Sequence, residues 1–198
     1  MPGDYFANAP RLTLEQFHAL RDERPKEEKW ELVAGVPVMM PPPRLVHQRI
    51  ARNLETLLNE ALPRVQPDWA ADREIGILVP ENLEYNPEPD VTVIDRDIGL
   101  DQIYAERFYF VCEVLSGSDK PSVIEAKLAF YCGHAHCHSV LLVEQDRIEA
   151  TLLTRHESWR RVWLEGPDAI LVLPVIGDIG PLGRLYRDTP LAGDRSPR

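Results

Sequence analysis

The fold of this chain is decided by two short apolar stretches, Pro89-Asp90-Val91-Thr92-Val93-Ile94 and Phe110-Val111-Cys112-Glu113-Val114-Leu115. Both are rich in β-branched residues and have the length of a strand that is buried on both faces. Each contains one carboxylate, Asp90 at the start of the first stretch and Glu113 inside the second. Because an unpaired buried carboxylate is costly, such a group is normally ion-paired, protonated or bound to a metal. The two stretches therefore predict neighbouring buried strands with an acidic site.

A helix is predicted after the second stretch, over residues 122–131, with Lys127 near its middle. Mg²⁺ takes hard oxygen ligands, usually one or two carboxylates with water, and lowers the pKa of a bound water. Asp90 and Glu113 are therefore candidate metal ligands, with the main-chain carbonyl of Val114 as a further one. Lys127 is a candidate to orient the attacking water. From spacing alone, a structural aspartate and a Glu–Lys ion pair remain the simpler interpretation.

The rest of the chain predicts further helices and strands around these stretches. Thr13-Leu-Glu-Gln16 has the spacing of a helix capping box, as does Ser122-x-x-Glu125. The further predicted elements are a helix over 13–22, a hairpin over 30–40, a helix over 44–62, a strand over 75–79, an antiparallel meander over 139–144, 148–154 and 159–164, and an apolar segment over 169–176. This mixture predicts an α/β or α+β fold built on one mixed central sheet flanked by helices.

Two polar residues lie in these predicted elements beside apolar neighbours. Glu31 is in the hairpin, where the residue pattern alone favours a strand residue that faces solvent. His47 is in the first turn of the helix over 44–62, where a histidine is usually a packing or capping residue.

Length and composition predict a single domain over 1–198, with a core over about 12–175 and a polar, disordered tail from about 188. The chain has 22 Lys and Arg against 32 Asp and Glu, a net charge of −10, which opposes binding to a nucleic acid unless a metal or a local basic patch offsets it. Its 3 cysteines suggest no disulfide framework. With neither a signal peptide nor an apolar run of membrane-spanning length, a cytoplasmic protein is expected.

Six segments occur in an order that resembles the Uma2 family of restriction endonuclease-like proteins, in the PD-(D/E)XK nuclease superfamily. They are Trp-Glu31-Leu-Val-Ala-Gly35, Val-Met-Met-Pro-Pro-Pro43, His47 at a helix start, Asn-Pro-Glu-Pro-Asp90-Val, Cys-Glu113-Val-Leu-Ser116 and Lys127-x-x-x-Tyr131. The resemblance covers about residues 12–175 and implies a restriction-endonuclease-like fold. It also implies an endonuclease that hydrolyses DNA with Mg²⁺, or with Mn²⁺ in its place.

The same resemblance assigns roles to individual residues. Asp90 matches the Pro-Asp of the superfamily and Glu113 matches its second acid. Leu115 stands where the superfamily has a lysine, and Lys127 on the following helix takes that place. Glu31 and His47 match recurrent positions that border the same site.

Two other functions stay open. A catalytically silent nuclease-like domain that serves as an interaction module would suit the acidic charge. A zinc-binding regulatory protein would use the cluster Cys132-x-His134-x-His136-Cys137-His138, although its spacing lacks paired Cys-x-x-Cys ligands. A homodimer is expected only by analogy with nucleases that cut two strands.

Overall fold

The stretches that carry Asp90 and Glu113 form neighbouring antiparallel strands in the middle of a mixed sheet. The structure is a computed structural model and describes residues 6–7 and 9–192. In chain order the elements are α1 (Leu14–Asp22), β1 (Lys29–Val33), β2 (Val36–Met40), α2 (Leu45–Val65), β3 (Trp69–Asp72), β4 (Val91–Asp95), β5 (Phe110–Leu115), α3 (Pro121–Gly133), β6 (Ser139–Glu144), β7 (Glu149–Thr154), β8 (Arg161–Glu165), β9 (Ile170–Leu173) and β10 (Gly177–Pro181).

The central sheet has six strands in the order β3-β4-β5-β6-β7-β8. β5 and β6 are parallel and joined through α3, and the other neighbours are antiparallel. The hairpins β1-β2 and β9-β10 form separate two-stranded sheets. The predicted fold class, a mixed central sheet flanked by helices, is confirmed.

β5 is buried on both faces, as its apolar sequence predicts. Phe110, Cys112 and Val114 face a core that also contains α2 and β9-β10. Val111 faces the opposite core, under α3. Because side chains alternate along a strand, Glu113 lies on the α3 face like Val111. This alternation points the acid at the helix that carries the lysine.

Three local predictions are wrong. Residues 75–79 form no strand, only an isolated bridge between Ile77 and Ala105, while the unpredicted β3 pairs with β4. Gly76 packs against the Tyr104 ring so closely that a Cβ would lie 2.8 Å from Cδ1, which explains a glycine there. α2 continues to residue 65 through Pro63. The Ser122-x-x-Glu125 capping box is absent, because α3 begins with Pro121 and has Lys120 as N-cap.

The structure also bears on the predictions for the cysteines, the C-terminal tail and membrane segments. All three cysteines are free thiols, in agreement with the absence of a disulfide framework. The tail predicted from 188 begins with a packed turn, in which the buried Thr189 hydroxyl donates to the Tyr186 carbonyl at 2.6 Å; residues 193–198 lie outside the described residues. Among the described helices, none has the length and apolar composition needed to cross a membrane.

The two proposed capping boxes provide a test of local stability. The Thr13 hydroxyl accepts from Gln16 N at 3.2 Å, and the Gln16 side chain accepts from Thr13 N at 2.9 Å. Thr13→Ala should therefore lower the free energy of unfolding by about 0.5–2 kcal/mol. Ser122→Ala, the matched control, should change it by less than about 0.5 kcal/mol. Urea denaturation measures both, and equal losses would contradict the assigned start of α3.

Candidate active site

A buried ion-pair cluster joins β1, β5 and α3. The Lys127 ammonium lies 2.8 Å from Glu31 Oε2 and 2.7 Å from Glu113 Oε1. The Tyr131 hydroxyl donates to the same Glu113 oxygen at 2.7 Å. Lys127 and Glu31 are each only 1% exposed. The sequence-predicted acid and lysine are therefore in direct contact.

Local structure explains why these groups meet. Lys127 and Tyr131 are four residues apart on α3 and so share the helix face that covers β5. Glu31 is held by a second contact, because its Oε1 accepts a hydrogen bond from Glu88 N at 3.2 Å. The solvent-facing orientation predicted for Glu31 from the strand pattern is wrong, because α3 covers that side of the hairpin. Glu31 nevertheless lies beside the acidic site, where the family resemblance places it, because it contacts Lys127.

The charge states follow from burial and from the contacts. Burial, and next to it the charges of Asp90 and Glu31, raise the pKa of Glu113 to about 7 against the lowering effect of Lys127. Burial alone would lower the pKa of Lys127, but Glu113 and Glu31 raise it above its ordinary value. Burial and the neighbouring Glu113 hold the pKa of Tyr131 well above its usual range. The cluster therefore contains a permanent ammonium and a neutral phenol.

Asp90 occupies a different environment at the start of β4. Its Oδ2 accepts a hydrogen bond from Val114 N at 2.7 Å, and its Oδ1 lies 2.8 Å from Nε2 of His47. Burial would raise the pKa of Asp90, but His47, the Val114 amide and the charge of Lys127 lower it below its ordinary value. Burial likewise opposes the protonated form of His47, yet Asp90 raises its pKa overall. Asp90 is thus held as a carboxylate, and its partner is the predicted histidine.

An open cavity of about 310 Å³ connects these two environments to solvent. Its lining includes all the predicted site residues except Lys127, which lies behind Glu31 and Glu113. The other charged side chains in its wall are Lys29, Arg44, Glu74, Glu88 and Asp119. The cavity is therefore acidic, with two cationic groups in its wall besides the histidine.

The donor set fits a hard divalent cation. Both contacts to Glu113 fall on Oε1, and within the described residues Oε2 receives no hydrogen bond. The N–H of Val114 points at Asp90, so its carbonyl points to the same strand edge, beyond the last β4–β5 pair, Val91 with Cys112. In the described part of the chain, no three His, Cys, Asp or Glu side chains are arranged to hold a metal. Two carboxylates, one carbonyl and water match the ligands that Mg²⁺ commonly has.

The Cys132–His138 segment has a packing role. The His134 ring stacks on Phe108 with centroids 4.1 Å apart, and His138 stacks with Trp69 at 6.0 Å. The Cys137 thiol is buried and contacts the Ser139 carbonyl at 3.5 Å. Because these side chains contact different partners, the zinc hypothesis receives no support from their geometry.

Tyr131 was part of the recognised Lys127-x-x-x-Tyr131 motif, but its contact with the acid was not predicted. The four-residue spacing on a helix is the signal that could have identified it. Glu88 was also missed. The Glu88 amide reaches Glu31 because the loop before β4 lies against β1, where Asn86 and Leu32 form an isolated bridge. No local pattern in the sequence predicts this contact between distant segments.

The Lys127 ion pair generates a stability prediction. Lys127→Met leaves two carboxylates buried without their cation, so the free energy of unfolding should fall by about 3–5 kcal/mol. Removing the ammonium raises the pKa of Glu113 in the folded state beyond about 7, further above its value in the unfolded chain. The loss should therefore grow as the pH rises above about 7, because the folded wild type then ionises Glu113 while the folded variant keeps the proton that its unfolded state has released.

Lys29→Met is the control for this experiment. Lys29 lies 3.7 Å from Glu88 and 4.0 Å from Glu74 and is partly exposed. Its loss should cost no more than about 1 kcal/mol. Urea denaturation of both variants at acidic and alkaline pH makes the comparison, and a Lys127→Met loss no larger than that of the control would contradict the buried ion pair.

Comparison with solved structures identifies the same architecture in another protein. A crystal structure titled as that of a "putative nuclease belonging to DUF820" from Anabaena variabilis ATCC 29413 matches this chain with a TM-score of 0.70. The match covers 88% of this chain and 97% of the other at 16% sequence identity, so it shows a shared fold. The predicted nuclease-like fold is confirmed by this likeness. No curated protein shows significant similarity to the chain.

The sequence profile of one family spans nearly all of the described residues. The profile is that of Uma2, described as "Putative restriction endonuclease", and it matches residues 14–180. This range contains every residue of the acidic site, from Glu31 to Tyr131. The chain therefore belongs to the Uma2 family, as the order of its sequence motifs predicts.

Proposed function

We propose that this protein is an endonuclease that hydrolyses phosphodiester bonds of DNA with Mg²⁺, or with Mn²⁺ in its place. The observation that carries the proposal is the placement of Asp90 and Glu113. They come from neighbouring strands, line one open cavity and are each fixed by specific partners. Membership in a family described as restriction endonucleases, together with a nuclease-like fold, supports hydrolysis of a nucleic acid.

Asp90, Glu113 and the Val114 carbonyl would hold the cation. When bound, Mg²⁺ supplies a water of lowered pKa and positive charge opposite the phosphate. His47 and the Val114 amide fix the Asp90 carboxylate through one hydrogen bond to each oxygen. Tyr131 and Lys127 both contact Oε1 of Glu113, so that among the described residues Oε2 receives no hydrogen bond. The protein thus fixes both acids in advance of binding.

The charges of the cluster also suit a divalent cation. Glu31, Asp90 and Glu113 contribute three carboxylates to the site, and the Lys127 ammonium contacts Glu31 and Glu113. When all three carboxylates are ionised they outnumber the ammonium, and a divalent cation would offset the excess negative charge. Lys29 and Arg44 in the cavity wall are the groups available to contact substrate phosphates. A bound cation and these two side chains would offset the net charge of −10 locally.

In this proposal the role of Lys127 is to stabilise the ionised form of Glu113. Its ammonium is enclosed by two carboxylates and is not part of the cavity lining. It therefore acts by favouring the ionised form of Glu113, whose pKa burial raises to about 7. Direct contact between Lys127 and the attacking water stays a prediction.

Cleavage of supercoiled plasmid and of single-stranded DNA in the presence of Mg²⁺ or Mn²⁺ tests the proposal. Asp90→Asn and Glu113→Gln should each reduce the nicking rate by about 100-fold or more, because each removes a charged ligand. Asp95→Asn is the matched control. Asp95 lies at the other end of β4, where it contacts Arg107 and Tyr109, and its replacement should leave the rate within about threefold.

Isothermal titration with Mg²⁺ separates the proposed enzyme from a silent relative. Metal binding that is lost in Asp90→Asn and Glu113→Gln, accompanied by chelator-sensitive nicking, would support the nuclease. Nicking that persists in both variants would refute the assigned site. The absence of both binding and cleavage would favour the interaction-module alternative. The enclosed position of Lys127 and the acidic charge of the chain also agree with that alternative.

A further inference from the structure

β8 forms one edge of the central sheet. It pairs with β7 on one side, and the strand order places no neighbour on its other side. Within residues 6–7 and 9–192, no backbone hydrogen bond outside the β7 ladder reaches residues 161–165. An edge of this kind exposes a row of unpaired N–H and C=O groups that another strand can bind.

The register shows which residues present these groups. Gly166 N donates to Ile148 O, just before β7, at 2.9 Å, so Leu164 and Val162 also point their backbone groups toward β7. Because the direction alternates along an antiparallel strand, Arg161, Trp163 and Glu165 point theirs outward. The unpaired N–H and C=O groups of these three alternate residues are therefore available to a partner strand.

The edge has few of the devices that usually prevent pairing. Its sequence, Arg161-Val162-Trp163-Leu164-Glu165, contains neither proline nor lysine, and its pairing with β7 is regular. Trp163 at its centre is 72% exposed. On the opposite face, Val162 and Val172 line an apolar groove of about 400 Å³. A strand bound at this edge would cover apolar surface on both faces.

The sequence of β8 is complementary to itself. An antiparallel partner of the same sequence, centred on Trp163, places Arg161 opposite Glu165 at both ends. It places Val162 opposite Leu164, and Trp163 opposite Trp163. Opposite charges across a strand pair are stabilising, and like charges directly opposite each other are destabilising. All three outward residues would form hydrogen-bonded pairs, so the register that matches the charges is also the one that matches the backbone.

We propose that two copies of this chain associate through β8, edge to edge and antiparallel, about a two-fold axis at Trp163. The two six-stranded sheets then form one continuous sheet. Arg161 keeps its ion pair with Glu125 of α3 at 2.6 Å, because that contact lies on the sheet face. Since a single strand pair buries limited area, the dimer has a Kd of about 1–100 μM.

This interface is independent of the proposed nuclease function. None of the residues that line the acidic cavity belongs to β8, and β6 and β7 separate β8 from the strand that carries Glu113. The dimer therefore leaves both cavities open.

Sedimentation velocity over protein concentrations of about 1–500 μM tests the proposal, because this range brackets the expected Kd. The wild type should pass from monomer to dimer. Arg161→Glu and Glu165→Arg should each weaken association at least about tenfold, because each places like charges opposite one another at both ends. An equimolar mixture of the two variants should form a heterodimer, since its cross-strand pairs are again of opposite charge.

Glu81→Arg is the matched control, because it makes the same charge change as Glu165→Arg at an exposed position far from β8 in the chain. It should leave the dimer unchanged. Urea denaturation of each variant verifies that it is folded. The proposal is overturned if the wild type stays monomeric across the range, if the two β8 variants dimerise as well as the wild type, or if their mixture does not associate.

Discussion

The structure depends on one buried cation. The Lys127 ammonium contacts two carboxylates that come from β1 and β5, so three elements distant in sequence share a single charge cluster. Desolvating these groups is costly, and their attraction compensates only when all of them are present and correctly placed. The cluster therefore fixes α3 and the β1-β2 hairpin on the same face of the sheet. That position also forms the back wall of the acidic cavity.

The two acids of the cavity differ because their surroundings differ. Asp90 is held ionised by hydrogen bonds from one amide and by a histidine, although burial opposes this. Glu113 is more deeply buried, and its pKa is raised to about 7 even with Lys127 beside it. A metal bound between them would compete with a proton at Glu113 far more than at Asp90. The site therefore combines a permanent anion, Asp90, with a carboxyl group, Glu113, whose ionisation depends on the charges around it.

Most of the fold could be read from local pattern. The apolar runs of β4, β5 and β6 and the periodicity of α2 identified these elements, because buried strands and amphipathic helices leave short-range signals. The strand predicted over 75–79 is absent, and Gly76 in this segment packs against Tyr104, a contact between distant residues that no local pattern shows. Glu31 was assigned to solvent from its own strand, since nothing local reveals that a helix 90 residues later would cover it.

The sequence by itself determined the family, most of the helices and strands, and the closeness of Asp90 and Glu113, because motif order and hydrophobic period are properties of the chain. Only the tertiary structure decided the partners. It gave Lys127 two carboxylates, Asp90 a histidine and a backbone amide, and β8 an open edge. The physical reason is that burial, charge state and strand pairing arise from contacts between distant segments. These contacts exist only once the sheet has assembled.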